Sequence, residues 1–235
     1  MPPQTTSSHT EPHSNLSGFI RNVIIGMADG LTVPFAIAAG LASIAANDQT
    51  IIIAAVLAEI AAGSISMGLG GFLAGKTDVE TYHAERAREA WEEEHKPDVE
   101  EQEVVDVLHT YGLTEEESRG IAQSLRKRKD DWINFMMRFE LGLEKPNEHD
   151  ALKSAATIGG AYIVGGFIPL APYLFVHTTT LAFELSIVVT FIALLGFGYV
   201  RGAVIGASPL RSMWQTALVG AIAAGAAFFL ARLVP

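Results

Sequence analysis

Two acidic residues stand where acids are expensive. Asp29 sits in Gly26-Met27-Ala28-Asp29-Gly30, about ten residues into one long apolar stretch, and Glu59 sits about ten residues into the next. A charged side chain near the middle of a bilayer costs roughly 2.5–3.5 kcal/mol on insertion scales unless it is hydrated, paired or protonated. Neither stretch offers an obvious basic partner. Met67 follows Glu59 by two helical turns, so both project from one helix face. Two carboxylates and a thioether suit a borderline divalent ion such as Fe²⁺ or Mn²⁺, because a hard ion gains little from sulfur. Metal and protons compete for the same carboxylate oxygens, so these groups can exchange one for the other. The plainer alternative gives Asp29 and Glu59 structural hydrogen bonds and gives Met67 a packing role.

A second group of acids lies in the charged middle of the chain. Glu85, Glu89 and Glu92 fall at i, i+4 and i+7 on one helix face, and Glu100 and Glu103 form an i, i+3 pair. Like charges at such spacing repel unless a cation sits between them. Met136, Met137 and Glu140 lie on a later helix. A compact helical hairpin would let these residues converge on an oxygen-rich site edged by sulfur. The alternative is a solvated acidic face balanced by pairs such as Glu92 with Lys96 and Glu85 with Arg88. His83, His95, His109, His149 and His177 are scattered, with no i, i+4 pair of the zinc-helix kind, and are expected at the surface.

The elements that must hold these groups are helices. Five apolar segments are long enough to span a hydrocarbon core of roughly 30 Å, which takes about 20 helical residues. They cover 19–45, 50–74, 155–176, 181–205 and 209–233. Gly and Ala are abundant in all five, so close helix packing or a dimer is expected. Pro34, Pro169 and Pro172 fall inside these segments, where kinks would free backbone carbonyls. The domain expectation is a disordered tail at 1–16, spans one and two within 17–75, a helical insert at 76–150, and spans three to five within 151–235.

Within the insert, Lys76 to His95 holds neither Gly nor Pro, so the second span should continue into water as one helix. Pro97 should stop it. Asp98 with Glu101 and Thr114 with Glu117 each match the capping-box spacing. A last helix from near Asp131 to Pro146 should bury Trp132, Phe135, Met136, Phe139 and Leu143.

Lys and Arg placement sets the orientation. The N-terminus and the insert carry most basic residues and belong on the cytosolic side, while only Arg232 falls on the other, so the C-terminus is lumenal or exterior. The net charge of −10 argues against a nucleic-acid partner, and the absence of cysteine excludes thiolate sites. No ATP-binding motif is visible, so active transport would draw on an ion gradient. No nucleophile–base pair or HExxH motif supports an intramembrane enzyme.

The Arg21–Leu31 segment, Glu59, Ser64-Ile65-Ser66-Met67-Gly68 and the Tyr82–Glu93 carboxylate helix together resemble the vacuolar iron transporter family, from about residue 17 to the end. The resemblance implies an all-α membrane homodimer with five transmembrane helices per subunit and a cytosolic metal-binding domain inserted between the second and third. It implies uptake of cytosolic Fe²⁺ into the vacuole in exchange for protons, with Mn²⁺ as a second substrate and Zn²⁺ or Co²⁺ able to occupy the same sites. Fe²⁺ is then cargo, and no cofactor is expected. By match, Asp29, Glu59 and Met67 would line the path. Glu89, Glu92, Glu100, Glu103, Met136, Met137 and Glu140 would hold metal in the insert, with Glu85 as a further candidate. Two rival functions are a metal-gated divalent-cation channel and a membrane-anchored metal buffer that moves nothing.

Overall fold

The computed structural model describes residues 13–44, 48–147 and 149–233, with side chains from residue 18 onward. Eight helices follow one another: α1 (His13–Ile44), α2 (Gln49–His95), α3 (Pro97–Thr110), α4 (Glu115–Leu125), α5 (Lys129–Phe139), α6 (Asp150–Phe175), α7 (Thr179–Val204) and α8 (Pro209–Ala231). Of the tail expected at 1–16, residues 1–12 lie outside the described residues, and α1 already begins at His13. Residues 46 and 47 of the link between the first two apolar segments also lie outside them.

Five helices are long and apolar enough to cross a membrane: α1 from Gly18, α2, α6, α7 and α8. Their form follows from their surroundings, since hydrocarbon offers no partner to a backbone N–H or C=O and a helix satisfies both within itself. At 47 residues α2 is about 70 Å long and outruns any bilayer core. The uninterrupted continuation past Lys76 is therefore as the sequence predicts.

The chain divides into two compact units, residues 1–72 with 152–235, and residues 73–151. In the first unit, glycine sets the helix spacing. A Cβ at Gly26 would stand 2.2 Å from the Ile158 carbonyl oxygen, and one at Gly30 would stand 2.3 Å from that of Tyr162. Only glycine allows α1 and α6 to approach so closely, and in a membrane such packing replaces the hydrophobic drive that water would supply. Ile52, Val56 and Ile60 of α2 form a buried cluster with Ala38, Leu170, Tyr173 and Ala182.

Both α1 and α6 run through their prolines. Each proline lacks an N–H and strips a carbonyl one turn back of its donor. Hydroxyl and amide side chains serve the polar backbone nearby. Ser186 donates to the Pro169 oxygen at 2.7 Å. Gln49 Nε2 donates to the Tyr173 and Val176 oxygens at 2.6 and 2.7 Å, closing the C-terminal end of α6.

The second unit holds the end of α2 with α3, α4 and α5. Trp132 and Met136 pack with Val104, Leu108 and Ala122, while Ile133 and Met137 pack with Tyr82. Arg86 reaches Asn134 Oδ1 at 2.7 Å and Asp130 Oδ1 at 3.3 Å, tying α5 to α2. Thr114 and Glu117 form the expected reciprocal capping box.

Three local expectations are corrected. Lys96, not Asp98, is the N-cap of α3, because Pro97 occupies the first helical turn, where its missing N–H does no harm. Helix α5 runs from Lys129 to Phe139 and stops well before Pro146, the chain then turning through Gly142 at φ +64°. Phe139 is exposed at the helix end and meets Tyr111 edge-on rather than joining the core.

Candidate functional site

In the membrane unit, Glu59 comes from α2, Asp29 from α1 and Tyr162 from α6. The Tyr162 hydroxyl donates to Glu59 Oε1. Asp29 is near enough to bear electrostatically on the same hydroxyl. Gly63, one turn beyond Glu59, makes the contact feasible, since a Cβ there would lie 2.4 Å from the Tyr162 hydroxyl oxygen. Glu59 Oε2 is buried and has no hydrogen-bond partner. One carboxylate oxygen is thus anchored and the other bare, which suits a group that receives a cation. Met67 is half-buried two turns further along α2, roughly 12 Å away by helical rise.

Tyr162 is the member of this set that sequence reading missed. A signal was available: Gly159-Gly160-Ala161-Tyr162 places a phenolic hydroxyl inside an apolar span, and a buried Tyr hydroxyl seeks a partner.

In the second unit, Glu89 on α2 and Glu100 on α3 are each only 2% exposed, and the Oε2 of each lacks a hydrogen-bond partner. The Glu100 carboxyl is pushed up to about 7, first by burial and then by the charges of Glu103, Glu89 and Glu92. The Trp132 indole N–H lies beside Glu100 without closing a hydrogen bond to it. Glu140, at the C-cap of α5, is also pushed up to about 7, by desolvation of its carboxyl and then by Glu103 and Glu89, although the residue as a whole is exposed. The five carboxylates Glu89, Glu92, Glu100, Glu103 and Glu140 therefore share one electrostatic neighbourhood drawn from α2, α3 and the end of α5. Met136 and Met137 are buried at 0% and 1% exposure, in the two apolar clusters of this unit.

Glu85 is placed differently. It pairs with Arg88 at 3.0 Å, and the same guanidinium reaches Glu92 at 3.6 Å and Glu89 at 3.5 Å. Lys96 adds a 3.0 Å contact to Glu92. The cation expected between like charges on this helix face is thus Arg88. Among the described residues, no three His, Asp or Glu side chains stand close enough together to grip an ion in this conformation.

A family model, the VIT family, matches residues 20–232. The chain belongs to the VIT family. Among the most similar relatives is Vacuolar iron transporter 2 of Oryza sativa subsp. japonica, 51% identical over 226 residues, covering 96% of this chain and 92% of the relative. Vacuolar iron transporter 1 of Arabidopsis thaliana is 49% identical over 226 residues, covering 96% and 90%. Protein CCC1 of Saccharomyces cerevisiae is 36% identical over 223 residues, covering 92% and 69%. The VIT-family match takes in both units and every candidate residue named above. The plant relatives are named as transporters, and this VIT-family chain is a transporter rather than an enzyme.

Proposed function

We propose that this protein carries Fe²⁺ from the cytosol into the vacuole in exchange for protons, with metal first collected by the acidic helical unit. The iron and vacuole of this reading rest on the names of the plant relatives. The observation that carries the exchange is the state of Glu59, with Oε1 held by Tyr162 and Oε2 bare within an apolar span. Such a carboxylate can take a divalent ion from one side and protons from the other, each displacing its rival.

Asp29 and Glu59 are the membrane ligands in this reading, and Met67 supplies a soft donor further along the path. Glu89, Glu92, Glu100, Glu103 and Glu140 are the collecting ligands, with Met136 and Met137 at the edge and Glu85 at the rim. Binding there requires side-chain rotation to draw the acids together and to release Arg88. Mn²⁺, Zn²⁺ and Co²⁺ meet the same donors and are expected competitors. The N-terminus and the acidic unit face the cytosol, the C-terminus faces the lumen, and two copies form the working dimer.

The test is uptake into proteoliposomes with the acidic unit outward and an acidic interior, under reducing conditions. Fe²⁺ uptake that requires the pH gradient and disappears in Glu59→Ala supports exchange. Uptake indifferent to the gradient makes the protein a channel. No uptake by folded wild type, with metal still bound, makes it a buffer.

A further inference from the structure

Away from the acids, α1, α7 and α8 enclose a cleft of about 260 Å³. Phe35, Phe183, Phe191, Leu194, Ala224 and Phe228 are among its walls, and no polar side chain contributes to it. Water has no place in such a cleft, because an ordered water needs two to four polar partners. The walls belong to helices long and apolar enough to cross a membrane, so the medium at its mouth is lipid. Along α7 the lining runs from Phe183 to Leu194, about 16 Å of helix, a length suited to an extended hydrocarbon chain.

Two further observations point to the occupant. Gly225 lines the cleft in the middle of α8, and a Cβ placed on it would meet nothing within 4 Å. No close approach demands glycine there, and glycine within a helix is destabilising by roughly 0.5–1 kcal/mol relative to Ala. What a side chain would fill is the cleft. At the cleft's end stands Arg232, its guanidinium 4.4 Å from the centre of the Phe228 ring. It is exposed, and no carboxylate pairs with it among the described residues. It is also the lone basic residue on its side of the membrane in the charge-based topology, so the rule that orients the helices does not explain it. Glu184, one position along from Phe183, is the exposed acid on the first turns of α7.

We propose that this cleft is a phospholipid site, with an acyl chain between α1, α7 and α8 and the lipid phosphate on Arg232. A guanidinium is suited to phosphate by its charge and its paired donors. The site is independent of the metal path.

The test is native mass spectrometry of the full chain, delipidated in mild detergent and then offered dioleoylphosphatidylglycerol or dioleoylglycerol. Folding of each variant is checked by melting temperature. Wild type is expected to retain the phospholipid about tenfold better than the diacylglycerol, as a charge-assisted contact to phosphate would give. Gly225→Phe, and Ala221→Leu on the same wall, should lose both lipids. Arg232→Gln should lose only the preference for phosphate, and Arg232→Lys should keep most of it. Equal lipid retention by wild type and both cleft-filling variants overturns the proposal. So does a wild type with no preference for phosphate, which would indicate a neutral apolar occupant such as a sterol. Loss of dimer mass in the cleft-filling variants, with lipid retention unchanged, would assign the cleft to a second copy of the chain and likewise overturn it.

Discussion

Tyr162 on α6 donates its hydroxyl to Glu59 on α2, across 103 positions of sequence. The bond fixes the carboxylate of a span that carries no base of its own. A hydrogen bond to a charged group contributes about 1.5–3 kcal/mol, so Tyr162→Phe should lower Fe²⁺ uptake by roughly tenfold or more. Glu59→Gln should abolish it while leaving the protein folded. Initial uptake rates in proteoliposomes, normalised to monodisperse protein, check both. An unchanged rate in Tyr162→Phe would remove Tyr162 from the path.

The glycines at the α1–α6 contact make a stability prediction. Gly26→Val places a branched side chain against the Ile158 carbonyl, already 2.2 Å from a bare Cβ. Overpacking of this kind costs typically about 1–3 kcal/mol, and a fixed backbone cannot yield as a side chain can. Gly225→Ala, where space is open, should cost nothing measurable. Melting temperatures of the two variants in detergent provide the comparison.

The acidic unit should bind metal with a steep pH dependence. Glu100 and Glu140 are both pushed up to about 7, so near neutrality each still holds part of its proton. Their folded values lie above the ordinary 4.5. The stability they lend the metal-free unit is therefore complete below about pH 4.5 and fades as pH rises through 7. Metal needs the ionised forms and has the opposite trend, with affinity falling about 10- to 100-fold from pH 7.5 to 6. Calorimetry with Co²⁺ in buffers of different ionisation enthalpy should also register proton release. A flat affinity over this range would contradict the assignment of these two acids as ligands.

Met136 and Met137 can be tested as ligands without damage to the core. Leu matches Met closely in volume, and such swaps usually cost less than about 1.5 kcal/mol. The Met136→Leu, Met137→Leu double variant should therefore keep its fold and its weak affinity for Mg²⁺, yet lose affinity for Fe²⁺ and Co²⁺ several-fold. Trp132→Ala, by contrast, should cost about 3–5 kcal/mol and unfold this unit, since Trp132 is 1% exposed. Circular dichroism separates the two outcomes.

The helices and their order were legible in the residues alone. Runs of apolar residues about 20 long in a bilayer allow one solution, because hydrocarbon offers the backbone no other partner. Asp29 and Glu59 stood out for the same reason. The Thr114–Glu117 capping box was legible because it is local, its two halves three residues apart. The boundaries that failed, at Asp98 and Pro146, turned on which of two competing local signals prevailed. Proline in a first helical turn displaced Asp98, and α5 ended at Phe139, with the chain turning through Gly142 before Pro146 was reached.

Contacts between distant segments belonged to the tertiary structure. No pattern within α6 couples Tyr162 to Glu59, because that pairing depends on how closely three helices approach, which Gly26, Gly30 and Gly63 permit. Nor could spacing decide which acids were buried. Glu85, Glu89 and Glu92 share a helix face, yet only Glu89 is sealed from solvent, within electrostatic reach of Glu103 on α3 and Glu140 at the end of α5, while Glu85 turns to Arg88. A helix's periodicity tells which side chains travel together. What they meet, and so whether a carboxylate stays a solvated charge or holds its proton near neutrality, is set by the packing of the other helices around it.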